Sequence, residues 1–502
     1  MKKSIDLINA RIREGTARVV TAEEMPDIVS ELGAEGALKE VDVVTTGTFG
    51  AMCSSGAFFN FGHSDPPIRM GKTWLNDVEA HSGLAAVDAY LGATQESETQ
   101  GDAYGGAHVL EDLVSGKSVE LRATSKGTDC YPRRSITTEL LLEDLNQATM
   151  CNPRNAYQCY DAATNTSDRT LHTYMGTLLP ETGNVSFSGA GTLSPLANDP
   201  KYRVTGNGVP IFLCGGQGMI VGPGTQTNPA GGFATLMTTG DMKTMSPDYL
   251  RAATFHGYGV SMFLGLGVPI PVLDIDIVKS TAVRDEDITT SIVDYGVPSN
   301  KRPLIRKVNY AELRSGRIEI NGEEVKTSSM SSYRKARMVA EDLKGWIESS
   351  RMELALPTRR FDPTVRVHPM HQTVHTPRVC EIMHQNMPYI SENEEIKIAA
   401  KNLLKGETNH LPVLDSENRV VGIVTTYDIS KSVIRPDAGK LVRDIMTRKV
   451  ITATPDEAID TAARKLEKNN ISALPVVDES GRLVGLLSAI DLGKLFGGRW
   501  KI

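Results

Sequence analysis

Val379-Cys380-Glu381-Ile382-Met383 returns as Val442-Arg443-Asp444-Ile445-Met446, and the match stays in step to the end of the chain. Ala399-Ala400 and Leu403 match Ala462-Ala463 and Leu466. Leu411-Pro412-Val413 with Asp415 matches Leu474-Pro475-Val476 with Asp478. Val421-Gly422 and Asp428 match Val484-Gly485 and Asp491. The offset is 63 residues throughout, without a gap. A repeat of this length is a supersecondary unit that covers its apolar face with its twin. Each copy reads helix, short apolar strand, turn, second strand, helix. Each second strand ends in a hydroxyl residue with an aspartate three positions on, Thr425 with Asp428 and Ser488 with Asp491. At a strand-to-helix junction a hydroxyl and the first free N–H groups hold a phosphate, and a carboxylate holds ribose hydroxyls. The plainer alternative is a helix cap. The repeat splits the chain into a sensing tail and a preceding part that must carry any chemistry. The predicted division is a catalytic domain over 1–356, a linker over 357–378, and repeats over 379–440 and 441–502.

The chain has 502 residues, 40% hydrophobic and 23% charged, with a net charge of −7. That is an ordinary globular composition with length for a sizeable core. The mildly acidic balance argues against a nucleic-acid surface. The N-terminal residues begin an amphipathic helix and lack a signal core, and no long uninterrupted apolar run offers a membrane span. A cytoplasmic protein is expected. Six cysteines without a C-x-x-C pair are too few for a disulfide framework.

Ile5, Ile8 and Ile12 mark a first helix, and a second is expected from Ala22 to Leu32, stopping at Gly33. Val41 to Thr45 reads as a buried strand running into a glycine-punctuated loop, Gly47 to Gly56. Residues 60–240, rich in Gly, Thr, Ser and Asn, read as short strands and functional loops. Val308 to Thr327 reads as strands with an Asn321-Gly322 hairpin turn. A helix is expected from Ser332 to Leu356. The fold class is α/β or α+β with Gly-rich loops, followed by the βαββα repeats.

Lys126-Gly127-Thr128-Asp129-Cys130-Tyr131-Pro132-Arg133-Arg134 is the most suggestive stretch of the first part. A thiol reacts as thiolate, which neighbouring cations favour. Three cations flank Cys130 against one carboxylate, and glycine and proline bound an exposed turn. A partly buried structural cysteine is the plainer reading. Cys53 is second, because a helix N-terminus after the glycine loop would support a thiolate; a small packing residue is its alternative. Arg133 or Arg134 could clamp a substrate carboxylate or be surface residues. Gly215 to Thr225 could cradle an anion, although Pro223 excludes a Rossmann helix and a structural turn serves as well. His368, His371, His375, Cys380 and His384 are metal-capable, but their proline-rich setting favours coincidence, and no metal is expected. His63, ten residues after Cys53, offers a conceivable Cys–His pair.

The tail resembles a CBS domain pair, an adenosyl-ligand sensor. The first part resembles the homocysteine biosynthesis enzyme family of anaerobic archaea and bacteria. The carrying stretches are Thr46 to Gly56, Gly127 to Pro132, Arg154-Asn155-Ala156-Tyr157-Gln158 and Gly222-Pro223-Gly224-Thr225. One branch of that family carries a fused CBS pair. The resemblance implies sulfur transfer to L-aspartate 4-semialdehyde, giving L-homocysteine. It implies Cys130 as persulfide carrier, Cys53 as companion thiol, and a small ferredoxin-like iron–sulfur partner. The CBS resemblance implies a homodimer and an adenosyl ligand at Thr425, Asp428, Ser488 and Asp491, with S-adenosylmethionine first and AMP or ATP second. No covalently bound cofactor is expected.

Two other readings compete. An IMP dehydrogenase relative also combines a CBS pair with a catalytic cysteine, but the chain lacks the eightfold strand–helix alternation of that barrel. A non-enzymatic, adenosyl-responsive scaffold delivering sulfur or iron–sulfur units is the other.

Overall fold

A computed structural model describes residues 2–297, 302–368, 377–434 and 440–496. The chain divides into two units, Met1–Val367 and His368–Ile502. Among the described residues no helix is long and apolar enough to cross a membrane.

The first unit opens with the helix Ile5–Arg13, where Ser4 accepts the Leu7 N–H at 3.1 Å and Ile8 and Ile12 are buried. The second helix runs Met25–Glu40 and is broken, not ended, at Gly33 (φ 68°, ψ 167°). It resumes because Ala37 and Leu38 return to the core. Val43–Thr45 is the fully buried middle strand of a three-stranded sheet.

The largest sheet among the described residues has nine strands, with Gln147–Gln158 lying between Ala234–Asp241 and Gly56–Asn60. The expected glycine loop at 47–56 is mostly part of it. Thr48–Ala51 is a strand paired with Gly259–Gly267, and only residues 52–55 turn before Gly56–Asn60. The glycines that suggested a loop serve close packing instead. A Cβ on Gly47 would lie 2.1 Å from the Ala336 carbonyl oxygen, on the helix Tyr333–Glu348. That helix starts where expected, with Ser332 capping the Lys335 N–H, but ends at Glu348. Ser350 (φ 58°) turns the chain back, and Leu354 exchanges two hydrogen bonds with the Asn9 side chain.

Gly216–Pro223 is an antiparallel strand of the same sheet, so its N–H groups serve the ladder and not an anion. Asn321 and Gly322 form the expected hairpin turn, both with positive φ, while the short helix Tyr310–Arg314 replaces part of the expected strand. Two six-stranded sheets and two short two-stranded ones are also present among the described residues of the unit. One six-stranded sheet ends in the hairpin Val119–Thr124 and Ser135–Leu140. The other pairs Ala162–Thr164 with Thr289–Asp294 and Asn184–Phe187. Antiparallel pairing dominates, unlike an eight-stranded parallel barrel. The first residues of the expected linker pack on this unit: Arg359–Arg360 pairs with Gly206–Asn207, and Phe361 stacks edge-on to Tyr202.

In the second unit the two repeats are intertwined. Each has the expected helix, strand, strand, helix order, Ile396–Lys405 to Ile434 and Ile459–Asn469 to Phe496. The leading segment of each repeat packs in the other's core. Val379 and Ile382 sit with Ala462, Leu466 and Leu474, while Val442 and Met446 sit with Ala399, Leu403 and Leu411. His384 exchanges backbone hydrogen bonds with Leu486, and Thr447 does the same with Ile423. This exchange is the burial of one repeat by its twin that the pattern required.

Candidate active site

Cys53 lies half-buried in the turn after Thr48–Ala51. The turn closes through Met52 N–H to Met262 O (2.6 Å) and Ser55 N–H to Met52 O (3.1 Å). Asn152 Nδ2 donates to Ser55 Oγ at 2.7 Å, tying the turn to the long strand Gln147–Gln158. Gly56 must be small here, since a Cβ would stand 2.3 Å from the Tyr90 hydroxyl and 2.6 Å from the Leu91 carbonyl oxygen. No helix follows Cys53, so the expected helix-end support is absent. Side-chain hydroxyls take its place. Cys53 Sγ is 3.0 Å from Ser261 Oγ, and burial, then the nearby Cys53 thiol, push the Tyr258 hydroxyl up. Burial, and then the nearby Cys53 thiol, push the Tyr157 hydroxyl up, so it stays protonated.

The sequence stretch around Tyr157 is irregular for a reason. The strand Gln147–Gln158 shifts register between Asn152 and Asn155 and again before Gln158, with Ala156 at φ 52°. Bulges of this kind re-aim side chains next to functional sites. Arg154 Nε donates to Thr225 Oγ1 at 3.2 Å, and Thr225 N–H to Pro153 O at 2.8 Å. Ser54 Oγ, Asn152 Oδ1 and Asn155 Nδ2 are buried without a protein partner. Three of the four stretches singled out in sequence, 46–56, 154–158 and 222–225, are thus joined through the long strand, Ser55 with Asn152 and Thr225 with Pro153 and Arg154.

The fourth lies elsewhere. Cys130 is exposed in the loop that joins Val119–Thr124 to Ser135–Leu140. Thr128 and Tyr131 close the turn through paired backbone bonds of 2.9 and 3.1 Å, and Gly127 supplies φ 74°. The loop is braced on residues 63–68. Tyr131 stacks on His63 (6.0 Å between centroids), and Arg133 donates to the carbonyl oxygens of Pro66 and Asp65. His63 thus neighbours Cys130, not Cys53. The Arg133 guanidinium is engaged by backbone, while Arg134 and Lys126 are exposed.

Cys53 precedes the strand Gly56–Asn60, and the Cys130 loop packs on residues beyond its other end. From Gly56, opposite Gly92, to Phe61, bonded to Val87, the strand covers roughly 17 Å. Both thiols are free. The other first-unit cysteines are poor nucleophiles. Burial raises the Cys151 and Cys159 thiols and pushes that of Cys214 up to about 12.

In the second unit, Thr425 N–H and Oγ1 donate to Asp428 Oδ2 at 2.9 and 2.7 Å. Ser488 N–H and Oγ donate to Asp491 Oδ2 at 2.9 and 2.6 Å. Each pair forms a helix-end cap, with hydroxyl and carboxylate at a strand-to-helix junction as the sequence placed them. The repeats then differ. His384 Nε2 lies 2.8 Å from Asp491 Oδ1, and Asp491 is 1% exposed. Thr447 takes the equivalent place in the first repeat, and Asp428 remains half-exposed. Among the described residues no group of three or more His, Cys, Asp or Glu is placed to hold a metal; His371 and His375 lie outside them.

Sequence reasoning does not single out Tyr157, Tyr258 or Ser261 as partners of Cys53. Tyr157 lies within one of the family stretches; the others carry no local signal.

Comparison with known proteins places the chain in a family. The family profile described as homocysteine biosynthesis enzyme, sulfur-incorporation, matches residues 17–354, and the CBS domain profile matches 379–435 and 442–497. An L-aspartate semialdehyde sulfurtransferase of Methanosarcina acetivorans is 51% identical over 500 residues, 100% of both chains. One of Methanocaldococcus jannaschii is 50% identical over 514 residues, 99% of each. A solved CBS domain pair in complex with 5'-methylthioadenosine and S-adenosyl-L-methionine is 40% identical; the match covers 25% of this chain and 99% of that one, at a TM-score of 0.24. The chain, which ends in a CBS pair, belongs to the homocysteine biosynthesis enzyme family.

Proposed function

We propose that this sulfurtransferase converts L-aspartate 4-semialdehyde to L-homocysteine, with Cys130 as sulfur carrier and Cys53 as companion thiol. The supporting observation is that three family stretches are joined through the strand Gln147–Gln158 beside the Cys53 turn, in a chain about half identical, end to end, to two enzymes named for that substrate.

The electron count defines the cycle. An aldehyde, one sulfur atom at the persulfide level, four electrons and four protons give the thiol and water. Attack of Cys53 on the Cys130 persulfide forms an S–S bond between the two cysteines and releases sulfide, supplying two electrons. Sulfide adds to the aldehyde carbon, water leaves, and the resulting thioaldehyde takes two more electrons to become the thiol. A ferredoxin-like iron–sulfur partner supplies this second pair and reduces the Cys53–Cys130 disulfide. Tyr157 and Tyr258, protonated beside Cys53, donate to the oxygen as it leaves. Arg134, exposed beside Cys130, is free to meet an anionic donor, whereas Arg133 positions the loop.

The CBS pair binds an adenosyl ligand, S-adenosylmethionine before AMP or ATP, since it lies downstream of homocysteine. Asp428 and Thr425 form the more open of the two sites. Association through the CBS pair gives a homodimer.

Anaerobic incubation with sulfide, L-aspartate 4-semialdehyde and a low-potential reductant tests the activity. Homocysteine should form with the parent protein and fall to background in Cys130→Ala. Mass spectrometry after treatment with a sulfur donor should place added sulfur on Cys130. Sulfur found only on Cys151 or Cys214 would overturn the assignment.

A further inference from the structure

Where the long strand Gln147–Gln158 leaves the nine-stranded sheet, residues 159–161 cross to Ala162–Thr164 of the second six-stranded sheet. A cavity of about 400 Å³ opens at this junction. Its wall carries Asp161, Arg302 and Lys307 among Tyr160, Tyr174 and Tyr295. None of the three charged groups makes an ion pair within 4 Å among the described residues. Arg302 is nevertheless held in place. Its guanidinium lies over the Tyr295 ring at 4.2 Å and donates to the Tyr174 hydroxyl at 2.9 Å. Tyr174 and Tyr295 share a 2.8 Å hydrogen bond. Burial raises the Asp161 carboxyl, while Ser291 and then the Arg302 charge pull it the other way. Two cations and one anion thus face a common space without neutralising one another directly.

The same aromatic wall continues to Cys53. Tyr174 meets Tyr258 edge-on at 6.0 Å, and Tyr258 immediately precedes the strand Gly259–Gly267, whose Ser261 lies 3.0 Å from the Cys53 sulfur. On the other side Tyr160 packs on Tyr157 at 4.7 Å, and Tyr157 lies on the strand whose Asn152 ties to the Cys53 turn. A ligand anchored on the charged groups therefore points any extension along tyrosine hydroxyls toward the thiol.

We infer that this cavity binds the α-amino-acid end of the substrate, with Arg302 and Lys307 on the α-carboxylate and Asp161 on the α-ammonium. The fixed guanidinium of Arg302 suits a planar carboxylate. A zwitterion of four carbons restores the missing pairing on both sides at once. The amino acid's identity rests on the activity proposed above; the cavity's chemistry does not. In this reading Arg133 and Arg134, on the distant Cys130 loop, do not hold the substrate carboxylate.

The test uses the full-length protein with L-homoserine, the unreactive alcohol of the same skeleton, alongside L-aspartate 4-semialdehyde. Calorimetry should show L-homoserine binding in preference to the D-isomer. Arg302→Met and Asp161→Asn should each weaken it by about tenfold or more, and Arg133→Met should leave it unchanged. In turnover, the first two variants should raise KM by a similar factor while donor-dependent sulfur loading of Cys130 stays at the parent level. Lys307→Met is a further variant on an exposed position, where folding is not at risk. Turnover in the parent with KM unmoved in all three cavity variants overturns the cavity assignment and leaves the activity standing. L-homoserine binding that is lost in Arg302→Met, without turnover in the parent, supports the cavity and overturns the activity. Absence of both binding and turnover overturns both.

Discussion

Deleting the hydroxyls that neighbour Cys53 should slow the thiol's chemistry without disturbing the fold, because Tyr258→Phe and Ser261→Ala each remove one oxygen. A hydrogen bond to a charged partner contributes roughly 1.5–3 kcal/mol, and about 1.4 kcal/mol is a factor of ten. The two positions differ in how water replaces the lost bond. Tyr258 is 42% exposed, so solvent takes over part of its role and the lower figure applies. Ser261 is 0% exposed, so its loss is not made good. Tyr258→Phe should therefore slow alkylation of Cys53 by iodoacetamide about tenfold at neutral pH, and Ser261→Ala by about tenfold to a hundredfold. Both hydroxyls act on one thiol, so the double variant should fall short of the product of the two effects. The rates are read by peptide mass spectrometry in a Cys130→Ser background, which removes the exposed competitor. Rates within about twofold of the background protein for both single variants would refute the claim that these hydroxyls support the thiolate, since twofold is below the smallest effect of such a bond.

Other consequences can be checked separately. The two-pronged bond from Arg203, aided by the N–H groups of Asp276 and Ile277, holds the Asp274 carboxyl below its usual 3.8. That contribution is present above 3.8 and is lost as pH falls through the depressed value, so Asp274→Asn should flatten the acid limb of a plot of Tm against pH. Parallel limbs would count against it. His384→Ala should uncover Asp491 and add a second S-adenosylmethionine site in calorimetry, whereas Asp428→Ala should abolish the first; unchanged stoichiometry in both would sink the asymmetry. Gly56→Ala, with a Cβ 2.6 Å from a backbone oxygen, should cost about 1–3 kcal/mol of stability in denaturant unfolding. Mixing inactive Cys53→Ser and Cys130→Ser proteins should restore turnover if the thiols meet between copies, and leave none if one chain's hairpin must swing.

The repeat was legible because burial by a twin leaves its record at a fixed offset, and even the swapped packing of Val379 and Val442 follows from it. Helix starts were legible where a cap is local, as at Ser4 and Ser332. Helix ends were less so. Gly33 breaks a helix that tertiary contacts then resume, and nothing between Ser349 and Leu356 announces that Leu354 will pair with Asn9. The Gly47–Gly56 stretch misled because glycine serves both turns and close packing, and only the facing helix, Ala336 on it, decides between them. The Cys53 surroundings come from strands more than a hundred residues away, so Ser261 and Arg302 gave no local sign. Stretches that looked equivalent in sequence could not reveal that three are joined and one is not.

That separation has a chemical rationale under the proposed cycle. A sulfur carrier must be open to its donor, and Cys130 stands exposed on a hairpin tip braced by Arg133 and Tyr131. An aldehyde awaiting sulfur is better held where few nucleophiles reach it, and Cys53 is half-buried behind tyrosines. Were both thiols in one cleft, Cys53 would discharge every persulfide as it formed, whether or not substrate was present. With Cys53 before the strand Gly56–Asn60 and the Cys130 loop braced on residues beyond it, discharge calls for an approach under this cycle. The approach is then the natural step for control, because substrate, reductant or subunit association can each govern it without altering the chemistry at either sulfur.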